Sequence, residues 1–280
     1  MSAAKDMRLT LSRDTRLCMS LSGRPSNFGT RLHNHLYQAL GLDYVYKAFT
    51  TTDLPAAIGG VRALGVRGCA VSMPFKEACI PLLDELTPSA ARLQSVNTIV
   101  NTDGRLVAYN TDYIAVAALL KSHGVPPGTP FVLRGSGGMG RAVAAALVDH
   151  GLGPGMLVAR NADSGRAVAN LHGLKWQPEL PAEAPGAVLV NVTPLGMAGA
   201  PESEAQAFPD ALIAEAAWVF DVVALPSETP LVRATRRLGR PVITGEEVMV
   251  LQAVEQFALY TGVRPDAARV AEAAAFARAG

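Results

Sequence analysis

A two-domain α/β protein, each domain a sheet covered by helices, is the fold the sequence predicts. Three observations predict it. The chain has 280 residues, room for two domains of ordinary size. Short β-type runs alternate with helical patterns in two separate series, the texture of parallel sheets. A glycine-rich turn stands between a strand and a helix at the start of the second series, where a doubly wound nucleotide-binding sheet carries one.

The first series opens with strands at "RLCMSLS" (16–22), "YVYKAF" (44–49) and "GCAVSM" (68–73). Between them "FGTRLHNHLYQALG" and "DLPAAIGGVRALG" have helical spacing and close on glycine, a helix stop. "SVNTIVNTDGRLVAYNTD" then sets two β-rich runs around Asp103-Gly104, a hairpin that closes the series. From about residue 129 five strands follow, in "TPFVLRG", "GMLVAR", "AVLVNVT", "AWVFDVV" and "PVITG", each joined to the next by a helix. Two further helical segments, "EEVMVLQAVEQFALYTG" and "PDAARVAEAAAFARAG", have no strand after them and return to the first domain. The expected domains are residues 1–112 with 246–280, and residues 113–245.

Composition narrows the function classes. With 25 basic and 24 acidic residues the formal net charge is +1, and no long single-sign run suits a polyanion or an anionic membrane. The expected partner is a small neutral or anionic molecule, with no nucleic acid and no membrane, in a monomer or homodimer. Cys18, Cys69 and Cys79 lie in apolar surroundings, an odd count without metal-ligand spacing, and read as reduced core residues of a cytoplasmic protein. No metal is expected. The charged, broken N-terminal stretch "MSAAKDMRLTLSRDTRLCMS" lacks the apolar run of a secretory signal, and no segment approaches ~18 uninterrupted apolar residues. The five histidines fall outside any motif, and those at helix ends read as surface groups or partners of the helix dipole.

The motif "VLRGSGGMGRAVAAAL" places Gly135, Gly137 and Gly140 at G-x-G-x-x-G spacing after an apolar strand and at the start of a helix. The first glycine allows the tight turn, the second lets backbone N–H groups approach a pyrophosphate, and the third lets helix and strand pack closely. The helix N-terminus adds partial positive charge. At the end of the next strand, where an NAD site usually carries Asp or Glu, this chain carries Ala159 and Arg160, and a guanidinium suits the 2′-phosphate of NADP. Asp163, three residues on, leaves residual NAD use open. Arg166 reads either as a second phosphate contact or as a solvated helix residue.

Lys76 ends the run "GCAVSMPFK", at the C-terminal end of its strand, where ligands of open α/β sheets gather. A lysine there donates a hydrogen bond to an alcohol or ketone oxygen and exchanges a proton with it. The carboxylate that would hold it is Asp112 in "AYNTDYIAV", a residue that also looks like a helix N-cap.

The ordered set "SLS" (20–22), "VSMPFKE" (71–77), "SVNTIV" (95–100), "YNTD" (109–112), "GSGGMGRA" (135–142), "NVTPLGM" (191–197) and "VLQA" (250–253) resembles the shikimate dehydrogenase family over almost the whole chain. That resemblance implies a Rossmann-type second domain and NADP-linked hydride transfer between shikimate and 3-dehydroshikimate in aromatic amino acid biosynthesis. It implies Lys76 and Asp112 as the catalytic pair. Ser20 and Ser22 would hold the substrate carboxylate, while Ser72, Asn97, Asp112 and Gln252 would contact the ring hydroxyls. Cofactor contacts would come from Gly135, Ser136, Gly137, Gly138, Met139, Gly140, Arg160, Asn191, Thr193, Val222 and Gly245.

The chain also departs from the family pattern. Tyr113 follows Asp112 where a glycine is usual, setting a large ring beside the site. Ala159-Arg160-Asn161 keeps the arginine but loses the amide before it, Ala224 replaces a substrate-contacting tyrosine, Pro194 and Leu195 replace a small polar pair, and Arg24 lies beside the serines. These departures resemble the shikimate dehydrogenase-like paralogues. Quinate or amino-shikimate as substrate, a cofactor-binding sensor with little turnover, and a methylene-tetrahydrofolate dehydrogenase remain as alternatives, the last opposed by "SLS" and "YNTD".

Overall fold

A computed structural model describes residues 11–279; the reading of the extreme N-terminus therefore lies outside the described residues. The chain divides into two compact units, one running up to Thr111 and resuming at Ala253, the other Asp112–Gln252.

The first unit contains β1 (Arg16–Leu21), α1 (Asn27–Ala39), β2 (Tyr44–Phe49), α2 (Leu54–Ala63), β3 (Gly68–Val71), α3 (Phe75–Ala78), β4 (Glu85–Leu86), α4 (Pro88–Leu93), β5 (Thr98–Thr102) and β6 (Arg105–Tyr109). The order across its sheet is β2-β1-β3-β5-β6-β4. β1, β2 and β3 are parallel, whereas β5 runs antiparallel to both β3 and β6. Pairing of Thr102 with Arg105 leaves the two-residue turn Asp103-Gly104, with φ of 51° and 87°. Positive φ at both positions is the type I′ turn, whose twist matches that of the strands, and aspartate and glycine tolerate it. The two-residue strand β4 has too little length for any periodicity to show in the sequence.

Helix α5 (Thr111–Ser122) follows, and the second unit continues with β7 (Phe131–Arg134), α6 (Gly138–Asp149), β8 (Gly155–Val158), α7 (Ala162–His172), β9 (Lys175–Gln177), β10 (Val188–Asn191), α8 (Asp210–Glu215), β11 (Trp218–Asp221), α9 (Pro230–Arg237) and β12 (Val242–Thr244). Its sheet is parallel throughout, in the order β12-β11-β10-β7-β8-β9. Numbered within the unit this is the 3-2-1-4-5-6 order of a doubly wound dinucleotide-binding sheet. It has six strands where the sequence pattern gives five; the sixth, β9, is "KWQ", with one apolar residue and no alternation to read.

Alternation along its strands builds two cores. Phe131, Leu133, Val188, Val190 and Phe220 face a cluster that includes Val116 and Leu120 of α5 and Val143 and Leu147 of α6. Val132, Leu189 and Val219 face the other way, onto Leu212 of α8 and Leu231 of α9. A parallel sheet buried on both faces is why these strands read as unbroken apolar runs.

Helices α10 (Gly245–Thr261) and α11 (Ala267–Arg278) complete the chain. In the first unit α11 packs on α1: the Arg31 guanidinium lies 4.2 Å from the Phe276 ring centroid and its Nη2 donates to the Phe276 carbonyl at 2.8 Å. Beneath this layer His33 of α1 is fully buried and stacked on Tyr46, with centroids 4.4 Å apart and planes 3° from parallel. The opposite face of the sheet packs Met19, Leu21, Ile58, Val61, Val71, Ile99 and Leu106. The three cysteines are free and buried in this unit, and burial pushes the Cys18 thiol up to about 12 and Cys79 to about 11.

The candidate active site

In the first unit strand register gathers the predicted substrate residues at one end of the sheet. Pairing of Ser20 with Ala70 and of Leu21 with Val71 sets the end of β1 beside that of β3. Ser72 N donates to Leu21 O at 3.0 Å, Gly23 N to Met73 O at 2.9 Å, and Val71 N to Asn97 O at 2.8 Å, tying the two strand ends and the start of β5 together. Ser20, Ser22, Ser72, Lys76 and Asn97 therefore share that end. Lys76 is half-buried in the short helix α3, whose peptide Met73-Pro74 is cis, and its carbonyl accepts from Val96 N at 2.9 Å. Burial raises the pKa of the Tyr46 phenol, on the strand beside β1.

Asn97 is the most constrained member. It is 3 % exposed. Its Oδ1 accepts from Thr111 N at 2.8 Å, from Thr111 Oγ1 at 3.1 Å and from Thr98 Oγ1 at 2.9 Å. Its Nδ2, sealed from solvent, has no hydrogen-bonding partner. A buried unsatisfied donor costs about 1–3 kcal/mol.

In the second unit the predicted cofactor residues line the C-terminal ends of successive strands. Gly135 follows β7 with φ 118°, and a Cβ on it would stand 2.8 Å from Val192 Cγ2. A Cβ on Gly140 would stand 2.7 Å from Gly135 O, whereas Gly137 and Gly138 face open space. The three motif glycines thus separate into the roles the spacing gives them: turn, approach and packing. Gly137 is the N-cap of α6 and contributes no side-chain cap, so the first-turn N–H groups of Gly138, Met139 and Gly140 have no partner within the helix. The Met139 side chain packs on the core. Ser136 Oγ lies 2.7 Å from Ser164 Oγ in the first turn of α7, bracing the glycine turn. This cradle sits between β7 and β10, where the strand order reverses. It fits a dinucleotide phosphate by its shape and by the N–H groups that the helix itself leaves over.

The neighbouring strand ends are held by an aspartate the sequence reading left without a role. Asp221, at the end of β11 and fully buried, accepts from Asn191 Nδ2 at 2.9 Å, Thr229 Oγ1 at 2.5 Å and Val223 N at 3.1 Å. Burial raises its pKa while those hydrogen bonds act in the opposite direction. Asn191 Oδ1 in turn accepts from Thr193 N and Oγ1. Asn191 and Thr193 thus form one bracketed turn, and the aspartate closing "WVFD" was its only sequence signal. Gly245 abuts Val222 and Val223: a Cβ there would fall 2.3 Å from Val223 O.

Arg160 is exposed, with Nη2 3.8 Å from Glu202. Arg134, whose pKa is lowered by burial first and by Arg160 next, donates to Ala207 O. Glu202 and Arg134 belong to no motif, and spacing gave no sign of them. Arg166 stacks on Trp176 at 4.4 Å from the ring centroid. Tyr113 is half-buried. It packs against the core of the second unit and its hydroxyl donates to Asp149 Oδ2 at 2.6 Å, at the end of α6 opposite the glycine turn. Asp112 is 6 % exposed in the first turn of α5, and Gln252 Nε2 donates to Met249 O at 3.2 Å on α10.

His123 just past α5, His150 at the C-cap of α6 and His172 in the last turn of α7 stand at helix C-termini, the dipole position of their reading. His123 Nε2 lies 2.8 Å from Glu247 Oε1 and His150 Nε2 2.8 Å from Val125 O, both half-buried. Among the described residues no group of His, Cys, Asp and Glu is arranged to hold a metal, and no helix is long and apolar enough to cross a membrane.

A doubly wound unit with a glycine cradle at its switch point, joined to an α/β unit with a polar strand-end cluster, defines a two-domain protein of the dinucleotide-binding class. Residues 27–99 match a model described as the shikimate dehydrogenase substrate binding domain. The chain is 53 % identical to a shikimate dehydrogenase-like protein of Haemophilus influenzae over 268 residues, covering 96 % of this chain and 98 % of that one. It is similar to the structure of shikimate 5-dehydrogenase from Thermus thermophilus in complex with NADP(H) and shikimate, with TM-score 0.83 and 32 % identity over 94 % of this chain and 99 % of that one. The quinate dehydrogenase of Corynebacterium glutamicum in complex with NAD superimposes with TM-score 0.84 at 29 % identity, covering 92 % and 98 %. The chain belongs to the shikimate dehydrogenase family.

Proposed function

We propose that this protein is an NADP-dependent oxidoreductase that interconverts a ring hydroxyl and a ring ketone of shikimate or a close cyclic hydroxy acid. The observation that carries this reading is the strand-end cluster of the first unit. There the half-buried Lys76 shares one sheet end with Ser20, Ser22 and Ser72 and with the buried carboxamide of Asn97. A small polyol acid needs several convergent hydroxyl and amide groups for orientation.

Lys76 and Asp112 act as the catalytic pair: in reduction Lys76 delivers the proton to the carbonyl oxygen as it becomes an alcohol, and in oxidation the pair accepts it back. Ser20 and Ser22 bind the carboxylate, and Ser72, Asn97 and Gln252 orient the ring. The pyrophosphate is held on the N–H groups of Gly138, Met139 and Gly140, with Arg160 at the 2′-phosphate. NADP, when bound, supplies or takes up the hydride. The reading of the protein as a cofactor sensor rested on Tyr113 and Ala224. Tyr113 packs half-buried against the core of the second unit, with its hydroxyl on Asp149.

The test is the change in reduced-nicotinamide absorbance with NADP, and separately NAD, against shikimate, quinate and related acids. Turnover with shikimate and NADP is expected. Lys76→Ala should abolish it and leave NADP affinity within a few-fold. Loss of affinity together with turnover would refute the catalytic assignment.

A further inference from the structure

At the end of the first sheet opposite Ser20 and Ser72, Arg16 opens β1 and Arg67 stands just ahead of β3. Arg67 N donates to Leu17 O at 2.8 Å and Asn101 N to Arg67 O at 3.0 Å, which sets the starts of β1 and β3 beside the hairpin end of β5. They border a cavity of about 510 Å³ whose walls are the two arginines, Asp103, Asn101, Thr102 and two glycines. Two guanidiniums and the Asp103 carboxylate leave positive charge in excess, so such walls suit a polar ligand that carries negative charge.

Both guanidiniums are anchored along one edge and spare along another. Tyr260 O, in the last turn of α10, accepts from Arg67 Nε at 3.0 Å and from the Tyr44 hydroxyl at 3.4 Å, and that hydroxyl accepts from Arg16 Nη1 at 3.2 Å. Arg67 Nη1 donates to Asn101 O and to Thr102 Oγ1, both at 2.8 Å. Nη2 of each arginine is left over among the described residues. A half-buried guanidinium already held by three bonds loses little freedom when a ligand meets its remaining N–H groups. The turn that carries Asp103 is held as well: Asn101 Oδ1 accepts from Gly104 N at 2.9 Å, and its Nδ2 donates to Val61 O at 2.8 Å.

We propose that Arg16 and Arg67 form a binding site for a small hydroxylated oxyanion, with its carboxylate or phosphate on the spare Nη2 groups and a hydroxyl donating to Asp103. A planar guanidinium matches either acid group. A bare anion is repelled by the Asp103 carboxylate, whereas a hydroxyl beside the acid group turns that neighbour into a hydrogen-bond partner. Arg16 and Ser20 lie four residues apart on β1, roughly 13 Å at about 3.3 Å per residue, so a small ligand here leaves the serine cluster free.

The isotope-labelled full chain, titrated at fixed ionic strength with inorganic phosphate, glycerate and glycerol phosphate and followed through its backbone amide shifts, tests this. Amides of Gly65, Arg67, Thr102, Asp103 and Gly104 should shift and saturate in the millimolar range. At least one of the two hydroxylated ligands should bind at least about threefold more tightly than inorganic phosphate, and the ratio between them tells which acid group the site takes. Arg16→Gln, at an exposed position, should weaken binding by about tenfold. Asp103→Asn, which the turn accepts, should bring inorganic phosphate within about twofold of the hydroxylated ligands. Shifts confined to the turn of Gly137, Gly138 and Gly140 would give the anion to the glycine cradle alone and overturn the proposal. So would shifts that do not saturate, or that persist unchanged in Arg16→Gln. The same shifts on concentrating the protein without ligand would assign the cavity to a second copy of the chain and overturn it too.

Discussion

Acid should loosen the first unit through His33. This imidazole is fully buried, stacked on Tyr46, and neither ring nitrogen has a hydrogen-bonding partner. Burial lowers its pKa from 6.5 to about 3. The folded value lies below the unfolded one, so between them the unfolded chain binds a proton that the folded chain refuses. The contribution of the neutral ring is therefore complete above pH ~6.5 and is lost as pH falls towards 3. At pH 5 the unfolded state has gained about 1.5 pH units of protonation, worth ~2 kcal/mol at 1.36 kcal/mol per unit. Urea unfolding followed by circular dichroism at pH 7.5 and pH 5.0, on the wild type and on His33→Phe, isolates this amount. Phenylalanine keeps the stacking and cannot titrate, so between the two pH values the variant should lose ~2 kcal/mol less than the wild type. Every other titrating group cancels in that double difference. Equal losses in the two proteins would refute the reasoning.

Two further substitutions probe the second unit. Gly140→Ala drives a Cβ to 2.7 Å from the Gly135 carbonyl, and should weaken NADP(H) binding by at least about tenfold, measured by fluorescence titration, because the turn that presents the first-turn N–H groups has to shift. Undiminished binding would show that this turn does not carry the phosphate. Asp221→Ala removes the buried acceptor of Asn191 Nδ2, Thr229 Oγ1 and Val223 N and should lower stability by ~2–3 kcal/mol in thermal unfolding, with Asp221→Asn milder.

The sequence reveals periodic elements and punctuation, and these account for the parts it made legible. Glycine at the ends of α1 and α2 and the aspartate-glycine turn at 103–104 each solve a local backbone problem, so they mark their elements without help from the rest of the chain. The glycine motif could be read because its three positions meet distinct steric demands. What remained hidden depends on partners distant in sequence. Gln256 meets Thr98 across 158 residues, and Asp221 gains its role from Asn191, thirty positions earlier. The hydrogen bond of Tyr113 was hidden for the same reason: its partner Asp149 lies 36 residues away. Strand β9 was missed because three residues hold no period.

Burial of all three cysteines in the first unit has a practical consequence, because both tryptophans, Trp176 and Trp218, lie in the second. Thiols whose ionisation is suppressed by burial react slowly with alkylating agents until the chain around them opens. Labelling kinetics thus time the opening of one half of the molecule, while indole fluorescence follows the other. The wild-type chain carries two independent spectroscopic clocks, and whether its halves unfold as one or in sequence is readable without adding a single probe.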